Sequence, residues 1–185
     1  MSYPILTERL GIRPLAMVDL DTFVAYRQDP DIARFQGWET SYSKNQALNL
    51  IESQAGLLLP EKGGWLQLAI CSLVDQEHVG DLAIKSVEDE DSTFELGFTV
   101  AKKHQGQGFA KEAASKLMSY LGLEAGAKKF IATTDIRNSA SIKVLAALGF
   151  QKNDSKSWTE LFKNELVNLD YFEISLSPEN RQAVG

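Results

Sequence analysis

The sequence predicts one α/β domain built on a mixed sheet that is antiparallel in its first half. Three observations indicate this fold class. β-rich segments follow one another between residues 64 and 100, helical segments with apolar stripes flank them, and a strand–turn–helix–strand–helix order continues the chain. The 185 residues are 44% hydrophobic and 24% charged, which supports one ordinary core. We expect a single domain over 1–185, with its core at 5–176 and a frayed tail at 177–185.

The N-terminal third predicts one strand and two helices. LTERLGIRPL (6–15) alternates apolar and polar residues, which is typical of an edge strand that ends before Pro14. A segment with apolar residues at helical spacing follows, and the pair Asp29-Pro30 ends that helix. Ser43 is a suitable N-cap for a second helix, which we expect to end near Gly56.

The middle of the chain predicts a meander followed by a helix. Three β-rich segments at 64–73, 78–87 and 92–100 are joined by short polar connections. Consecutive strands joined in this way are expected to pair in antiparallel fashion. The next helix spans about 108–123, and its apolar stripe indicates that it packs on the sheet.

The last third predicts a strand, a short helix and two closing strands. A strand at 128–136 precedes a helix with Asn138 as its N-cap and Gly149 just past its end. SWTELFKNEL (157–166) and the overlapping LVNLDYFEISLS (166–177) then read as strands.

Composition excludes several function classes. A net charge of −6 and a pI near 5.0 argue against broad nucleic-acid binding, which needs a basic face. Cys71 is the single cysteine, so it forms no disulfide framework, and we expect a buried core thiol. We see no secretory signal and no apolar stretch of about 20 residues, so we expect no membrane association and a cytoplasmic location. His, Asp, Glu and Cys show no metal-ligand spacing, so we expect no metal.

A glycine-rich turn, QGQGFA (105–110), stands where a helix begins. Helix N-termini present unpaired N–H groups, and Gly106 and Gly108 remove the Cβ atoms that would obstruct an approaching anion. The turn is therefore interpreted as a phosphate cradle, although a turn that serves only chain geometry is the alternative. A P-loop is excluded because no G-x-x-x-x-G-K-[ST] run exists, and the third small residue of a dinucleotide-binding fingerprint is out of place.

The turn and its neighbours resemble the GNAT acetyltransferase superfamily. QGQGFA is similar to the Q/R-x-x-G-x-G/A signature of that family, with Gln105, Gly108 and Ala110 at its defining positions. FELGFTV directly before it and RNSASIKVLAALGF after it resemble the RimJ/RimL-like branch of ribosomal-protein N-terminal acetyltransferases. The resemblance extends over roughly 5–176. It implies a GNAT-type, mostly antiparallel central sheet flanked by helices, with parallel central strands that splay apart.

The resemblance also implies a binding mode for acetyl-CoA as cosubstrate. The pyrophosphate would lie on the turn, the pantetheine arm along the strand before it, and the start of the later helix against the cofactor. The implied cofactor-binding residues are Phe98, Thr99, Val100, Gln105, Gly106, Gln107, Gly108, Phe109, Ala110, Asn138 and Ser141. Lys102, Lys103 and Lys111 either add phosphate charge or are ordinary solvated lysines.

Glu95 is the candidate general base. Acetyl transfer to an amine needs a proton acceptor, because an ammonium group has no lone pair. Glu95 lies two residues before Gly97 on the predicted central strand, so both share one face of the sheet. A paired or solvated strand carboxylate is the alternative reading, and Asp170 and Tyr171 are weaker candidates for the base.

Ser141 and Trp38 are the remaining candidates. The helix after the fifth strand lacks the Tyr that many family members use as an acid, and in the similar branch a Ser occupies this region, here Ser141. Ser141 would donate a proton, hydrogen-bond the cofactor, or only take part in the Asn138 cap. We expect the first two helices and the last hairpin to recognise the acceptor. Trp38 either lines the acceptor site or anchors the loop in the core. His78 and His104 are expected at the surface.

The predicted function is therefore acetyl-CoA-dependent N-acetylation of a primary amine. The acceptor is the N-terminus of a ribosomal or other protein, or a small-molecule amine such as an amino acid, a polyamine or an antibiotic. A non-catalytic acyl-CoA-binding module is the alternative from another class. The expected partners are acetyl-CoA and the amine acceptor, with no nucleic acid and no membrane, in a monomer or a homodimer.

Overall fold

The structure, a computed structural model, describes residues 1–176, so the predicted tail lies outside the described residues. Within these residues, nine strands form one sheet: β1 Ile5–Leu6, β2 Leu10–Pro14, β3 Trp65–Ser72, β4 His78–Ser86, β5 Thr93–Val100, β6 Lys129–Asp135, β7 Gln151–Lys152, β8 Trp158–Phe162 and β9 Glu165–Ser175. Their order is β1-β2-β3-β4-β5-β6-β9-β7, and β8 pairs with β9. Among the strands of residues 1–176, only β5 and β6 are parallel neighbours, so the predicted mixed, mostly antiparallel sheet is confirmed.

In the described part of the chain, five α-helices flank the sheet: α1 Leu20–Arg27, α2 Pro30–Ala33, α3 Lys44–Ser53, α4 Phe109–Glu124 and α5 Ser139–Ala147. α4 and α5 contribute to a core on one face, where Leu117, Leu121 and Leu145 are almost fully buried. α1 and α3 contribute to a second core on the other face, around Phe23 and Ala47. Within the described residues, no helix is long and apolar enough to cross a membrane.

The N-terminal segment differs from the single edge strand that was predicted. Residues 6–15 belong to a hairpin in which β1 forms the sheet edge and β2 lies between β1 and β3. The reason is a local turn: the Thr7 Oγ1 accepts hydrogen bonds from the backbone N–H groups of Leu10 (2.8 Å) and Arg9 (3.3 Å). Pro14 then forms the last position of β2 instead of following the strand.

Other elements match the sequence closely. The meander β3–β4–β5 is antiparallel as predicted, Ser43 caps α3, and Asn138 caps α5. Asp29-Pro30 ends α1, but Pro30 also begins the short helix α2, which the sequence analysis did not predict. The two-residue strand β7 was also missed.

His78 is a second correction, because it is buried and was expected at the surface. Its side chain is 5% exposed, and its ring is stacked on Phe23 with a centroid distance of 6.4 Å. One ring nitrogen lies 2.7 Å from the carbonyl oxygen of Gly80. Burial lowers the pKa of His78, so the neutral imidazole is favoured in this core.

The parallel strands splay apart, as the family resemblance implied. β5 and β6 are in register only over Thr93↔Lys129, Phe94↔Phe130 and Glu95↔Ile131. β5 then continues along β4 as far as Val100, whereas β6 continues along β9 as far as Asp135. A gap therefore opens in the sheet directly after Glu95.

Candidate active site

A cleft of about 480 Å³ opens at the splayed strands. It is lined by Asp31, Ile32, Phe35, Gln36, Phe98, Thr99, Val100, His104, Gln105, Gly106, Gly108, Phe109, Ala110, Lys111, Asn138, Ala140, Ser141 and Val144. Three segments that are distant in sequence meet here: the end of β5 with the turn and the start of α4, the start of α5, and α2 with the loop after it. Of the predicted cofactor residues, Gln107 alone does not line the cleft.

The glycine turn has the geometry of an anion cradle. Gly106 and Gly108 both adopt left-handed backbone conformations, with φ of +76° and +80°, which glycine adopts without the strain other residues incur. Gly108 is the N-cap of α4, and glycine has no side chain to bond the first N–H groups of the helix. Phe109, Ala110 and Lys111, which begin the helix, line the cleft, so these N–H groups are available to an anionic ligand there.

The lysines around the turn differ in their partners. Lys102 forms an ion pair with Asp31, and Lys103 forms one with Glu77. Lys111 lines the cleft, and within residues 1–176 it makes no ion pair. Lys111 is therefore the best placed of the three to face a phosphate.

The backbone of β5 presents free hydrogen-bonding groups to the gap. Ala101 donates to the Val79 carbonyl at 2.9 Å, so odd-numbered β5 residues direct their backbone groups towards β4. The alternation of an antiparallel ladder then turns the N–H and C=O of Phe98 the other way, towards the gap. This strand edge can bind an extended chain that carries amides.

Asn138 and Ser141 meet at the opposite wall of the cleft. The Asn138 side-chain oxygen accepts a hydrogen bond from the backbone N–H of Ser141 at 3.1 Å, which caps α5. This cap leaves the Asn138 amide nitrogen and the Ser141 hydroxyl for other partners. Both residues line the cleft, so the cap and a contact with a ligand are compatible.

Glu95 lies at the last paired position before the strands separate. It shares the sheet face of Gly97 and Thr99, and its carboxylate accepts a long hydrogen bond of 3.5 Å from the Thr133 hydroxyl on β6. Lys85 is its direct partner on β4. Burial raises the pKa of Glu95 above its usual value, while the charge of Lys85 and the Thr133 contact oppose that rise. A carboxylate with a raised pKa binds a proton more readily than an ordinary glutamate, as a general base requires.

Trp38 is not among the residues that line the cleft. Its indole N–H donates to the Arg27 carbonyl at 3.0 Å, and the Arg27 guanidinium stacks 3.6 Å from the Trp38 ring centroid. These contacts anchor the loop between α2 and α3. Whether Trp38 also contacts an acceptor stays a prediction.

Sequence reasoning missed part of the site. Asp31, Ile32 and Gln36 come from α2 and the loop after it, and no local motif marks them. Phe35, an aromatic residue of the same loop, also lines the cleft. His104 was expected at the surface, but its side chain is only 15% exposed because it packs against Phe109 at the cleft. In the described part of the chain, no group of three or more His, Cys, Asp and Glu side chains has a metal-binding arrangement.

Comparisons with known proteins show the family and the fold to which the chain is similar. The acetyltransferase (GNAT) domain family matches residues 9–151. An uncharacterized N-acetyltransferase, p20, of Bacillus licheniformis is 27% identical over 168 residues, which cover 91% of this chain and 93% of that protein. Many solved structures share the fold, including the two that follow.

The first is RimL, a ribosomal L7/L12 alpha-N-protein acetyltransferase in complex with coenzyme A. Its TM-score is 0.79 at 16% identity, over 94% of this chain and 97% of that one. The second is spermidine N-acetyltransferase from Vibrio cholerae in complex with CoA and spermine. Its TM-score is 0.77 at 15% identity, over 91% of this chain and 96% of that one.

Proposed function

The chain belongs to the GNAT acetyltransferase family and is an acetyl-transferring enzyme, and from this premise we propose how its own residues bind acetyl-CoA and activate an amine. The single observation that carries the proposal is the gap between β5 and β6. It joins the free strand edge of β5 and the glycine turn in one cleft, and it begins directly after Glu95, which does not itself line that cleft. No other part of the described structure combines these three features.

The turn binds the pyrophosphate of acetyl-CoA in this proposal. The N–H groups at the start of α4 donate to phosphate oxygens, and the left-handed glycines keep the approach open. The backbone of Phe98 hydrogen-bonds the pantetheine arm, as an added strand would. Asn138 and Ser141 contact the cofactor from the facing wall.

Glu95 takes the proton from the acceptor ammonium, directly or through a water molecule. The free amine then attacks the thioester carbon, and the N–H of Phe98 donates to the carbonyl oxygen as negative charge develops there. The new C–N bond forms as the C–S bond breaks, the attacking nitrogen gives up its second proton through water, and the departing sulfur takes up a proton. The Ser141 hydroxyl either donates a hydrogen bond to that sulfur or gives it a proton and regains one from the same water. Glu95 returns its proton to solvent.

We propose a protein N-terminus as the acceptor. A net charge of −6 suits a basic partner such as a ribosomal protein, and a fold neighbour acts on ribosomal L7/L12. A polyamine is the second candidate, because another neighbour is a spermidine N-acetyltransferase. Both candidates present a cationic primary amine.

An acceptor panel tests this assignment. Basic peptides with free N-termini, the same peptides with blocked N-termini, spermidine and free amino acids are each incubated with acetyl-CoA. Thiol release and the mass of the acceptor are recorded. We expect acetylation of free-N-terminal peptides alone, at the α-amine. Acetylation of spermidine in preference to every peptide would overturn the protein acceptor and favour the polyamine.

A further inference from the structure

Glu112 poses an electrostatic problem for the proposed cofactor site. It lies in the first turn of α4, close to the N–H groups that would bind the pyrophosphate. A carboxylate there stabilises the helix, because it offsets the positive end of the helix dipole. The same negative charge repels a phosphate at that end. The inference that follows rests on the proposed function, because it assumes that the anion binds at this turn.

Arg9 holds the Glu112 carboxylate from the turn between β1 and β2. Its Nε donates to Oε2 at 2.7 Å, its Nη2 lies 2.5 Å from the same oxygen, and its backbone N–H donates to Oε1 at 3.1 Å. Thr7 adds a hydroxyl donor to Oε1 at 2.6 Å. We call these contacts of Thr7 and Arg9 with Glu112 the Glu112 clasp.

The guanidinium of Arg9 also lies directly beside the glycine turn. Its central carbon is 4.8 Å from the centroid of the Phe109 ring, and Nη2 would lie 3.6 Å from a Cβ atom placed on Gly108. A second, more open cleft of about 650 Å³ contains Arg9, Glu112, Gly108 and Lys111. Arg9 therefore places its positive charge between the carboxylate and the residues that begin α4.

Burial of Glu112 raises its pKa, but hydrogen bonds from Thr7 and Arg9 oppose this and leave the pKa below its usual value. The carboxylate is therefore ionised at neutral pH, and its charge persists when coenzyme A arrives. Without Arg9, the Glu112 carboxylate would keep its negative charge and its position, since the Thr7 hydroxyl still donates a hydrogen bond to it.

We propose that Arg9 is a positioning residue of the cofactor site that acts through Glu112. It neutralises the carboxylate and directs it towards the β1–β2 turn, so that the start of α4 stays attractive to the pyrophosphate. A clasp that only joined the hairpin to the helix would not need a cation, because Thr7 and the Arg9 backbone N–H supply neutral tethers.

The experiment measures coenzyme A affinity by calorimetry for Arg9→Gln, Glu112→Gln and the double variant. We expect Arg9→Gln to weaken binding roughly ten-fold, because an uncompensated charge then faces the phosphates. Glu112→Gln should bind more tightly than the wild type. The double variant should return to within about three-fold of the wild type, since the local charge balance is restored. These differences should shrink in concentrated salt.

Two results would overturn the proposal. One is an Arg9→Gln variant that binds coenzyme A as tightly as the wild type does. The other is a double variant that binds as weakly as Arg9→Gln, which would mean that Arg9 acts on the ligand directly or through structure alone. If Arg9→Gln fails to fold, Arg9→Lys replaces it in the experiment. This variant keeps the positive charge, so it should retain most of the affinity for coenzyme A, and a large loss would contradict the proposal. Failure of the proposed function is distinct, since the wild type itself would then not bind coenzyme A.

Discussion

Lys163, at the tip of the β8–β9 hairpin, donates a hydrogen bond from Nζ to the backbone carbonyl oxygen of Ala33 at 2.8 Å. It also donates to the Trp38 carbonyl oxygen, and its backbone has a left-handed φ of +51°. The hairpin is thereby fixed to the segment between Ala33 and Trp38, in which Phe35 and Gln36 line the cleft. These two elements are the ones expected to recognise the acceptor.

Lys163→Met should loosen this attachment. The two carbonyl oxygens lose a charged donor, which costs about 1–3 kcal/mol of unfolding free energy. We expect a higher KM for the acceptor and an almost unchanged affinity for coenzyme A. Lys62→Met is the matched control, because Lys62 is an exposed lysine with one surface ion pair. Equal KM values in both variants would exclude Lys163 from acceptor recognition.

Glu95→Gln should lower turnover by about 10²–10⁴-fold at neutral pH while acetyl-CoA affinity stays nearly unchanged, because the proton acceptor is lost. The raised pKa of Glu95 places the acidic limb of the wild-type pH–rate profile above the ordinary glutamate value of about 4.3. The variant should lack that limb and recover rate as pH rises. Exposed Glu52→Gln serves as the control, and parallel profiles for Glu95→Gln and the wild type would remove Glu95 from the mechanism.

Glu95 should also reduce stability at neutral pH. Its pKa is raised in the folded state, so the folded protein is favoured while the group is protonated, and this stability is lost as pH rises through the folded pKa. Glu95→Gln should therefore raise Tm above that pKa, and the gain should vanish below about pH 4, near the unfolded pKa. Thermal unfolding across this pH range checks the sign. A gain that grows at low pH would contradict the burial of an ionised Glu95.

Gly108→Ala should weaken coenzyme A binding beyond any loss of stability. Both Gly108 and Gly126 have positive φ, at +80° and +67°, so alanine costs each site about 1–2 kcal/mol of backbone strain. Gly126 lies at the other end of α4 and serves as a matched control. We expect similar Tm losses in both variants but a loss of affinity only in Gly108→Ala. Equal affinities by calorimetry would contradict the cradle.

Asn138→Ala should affect both stability and binding. Loss of this N-cap costs about 1 kcal/mol, as does Ser43→Ala at the N-cap of α3. Only Asn138 lines the cleft, so only its variant should bind coenzyme A more weakly. Comparison of Tm and Kd for the two variants separates the roles. Equal Kd values for coenzyme A in the two variants would assign Asn138 to the cap alone.

Local sequence signals predicted the elements that carry the site. The glycine turn, the Asn138 cap and the alternation that places Glu95 beside Gly97 all follow from short-range rules, and the structure reproduces this geometry. Short-range rules also placed the meander, because its turns are brief.

Contacts between residues that are far apart in the sequence could not be predicted from local sequence signals. The Glu112 clasp joins residues about a hundred positions apart, and nothing near Arg9 in sequence indicates its partner. The burial of His78 depends on Phe23 from α1, and the contribution of α2 to the cleft depends on how the helices pack over the sheet. Polar residues such as His78 are assigned to the surface by default, and only tertiary packing reverses that assignment.

The transfer itself is tested most directly with acetyl-CoA that carries a label in its acetyl group. The enzyme and a basic peptide with a free N-terminus are mixed, and label on the peptide amine is followed together with free thiol. We predict that the wild type releases one thiol for each acetylated amine, and that Glu95→Gln is slower by the factor given above. The opposite result is tight binding of acetyl-CoA with no thiol released in the presence of any amine, peptide or polyamine. It would contradict acetyl transfer and indicate a cofactor-binding module.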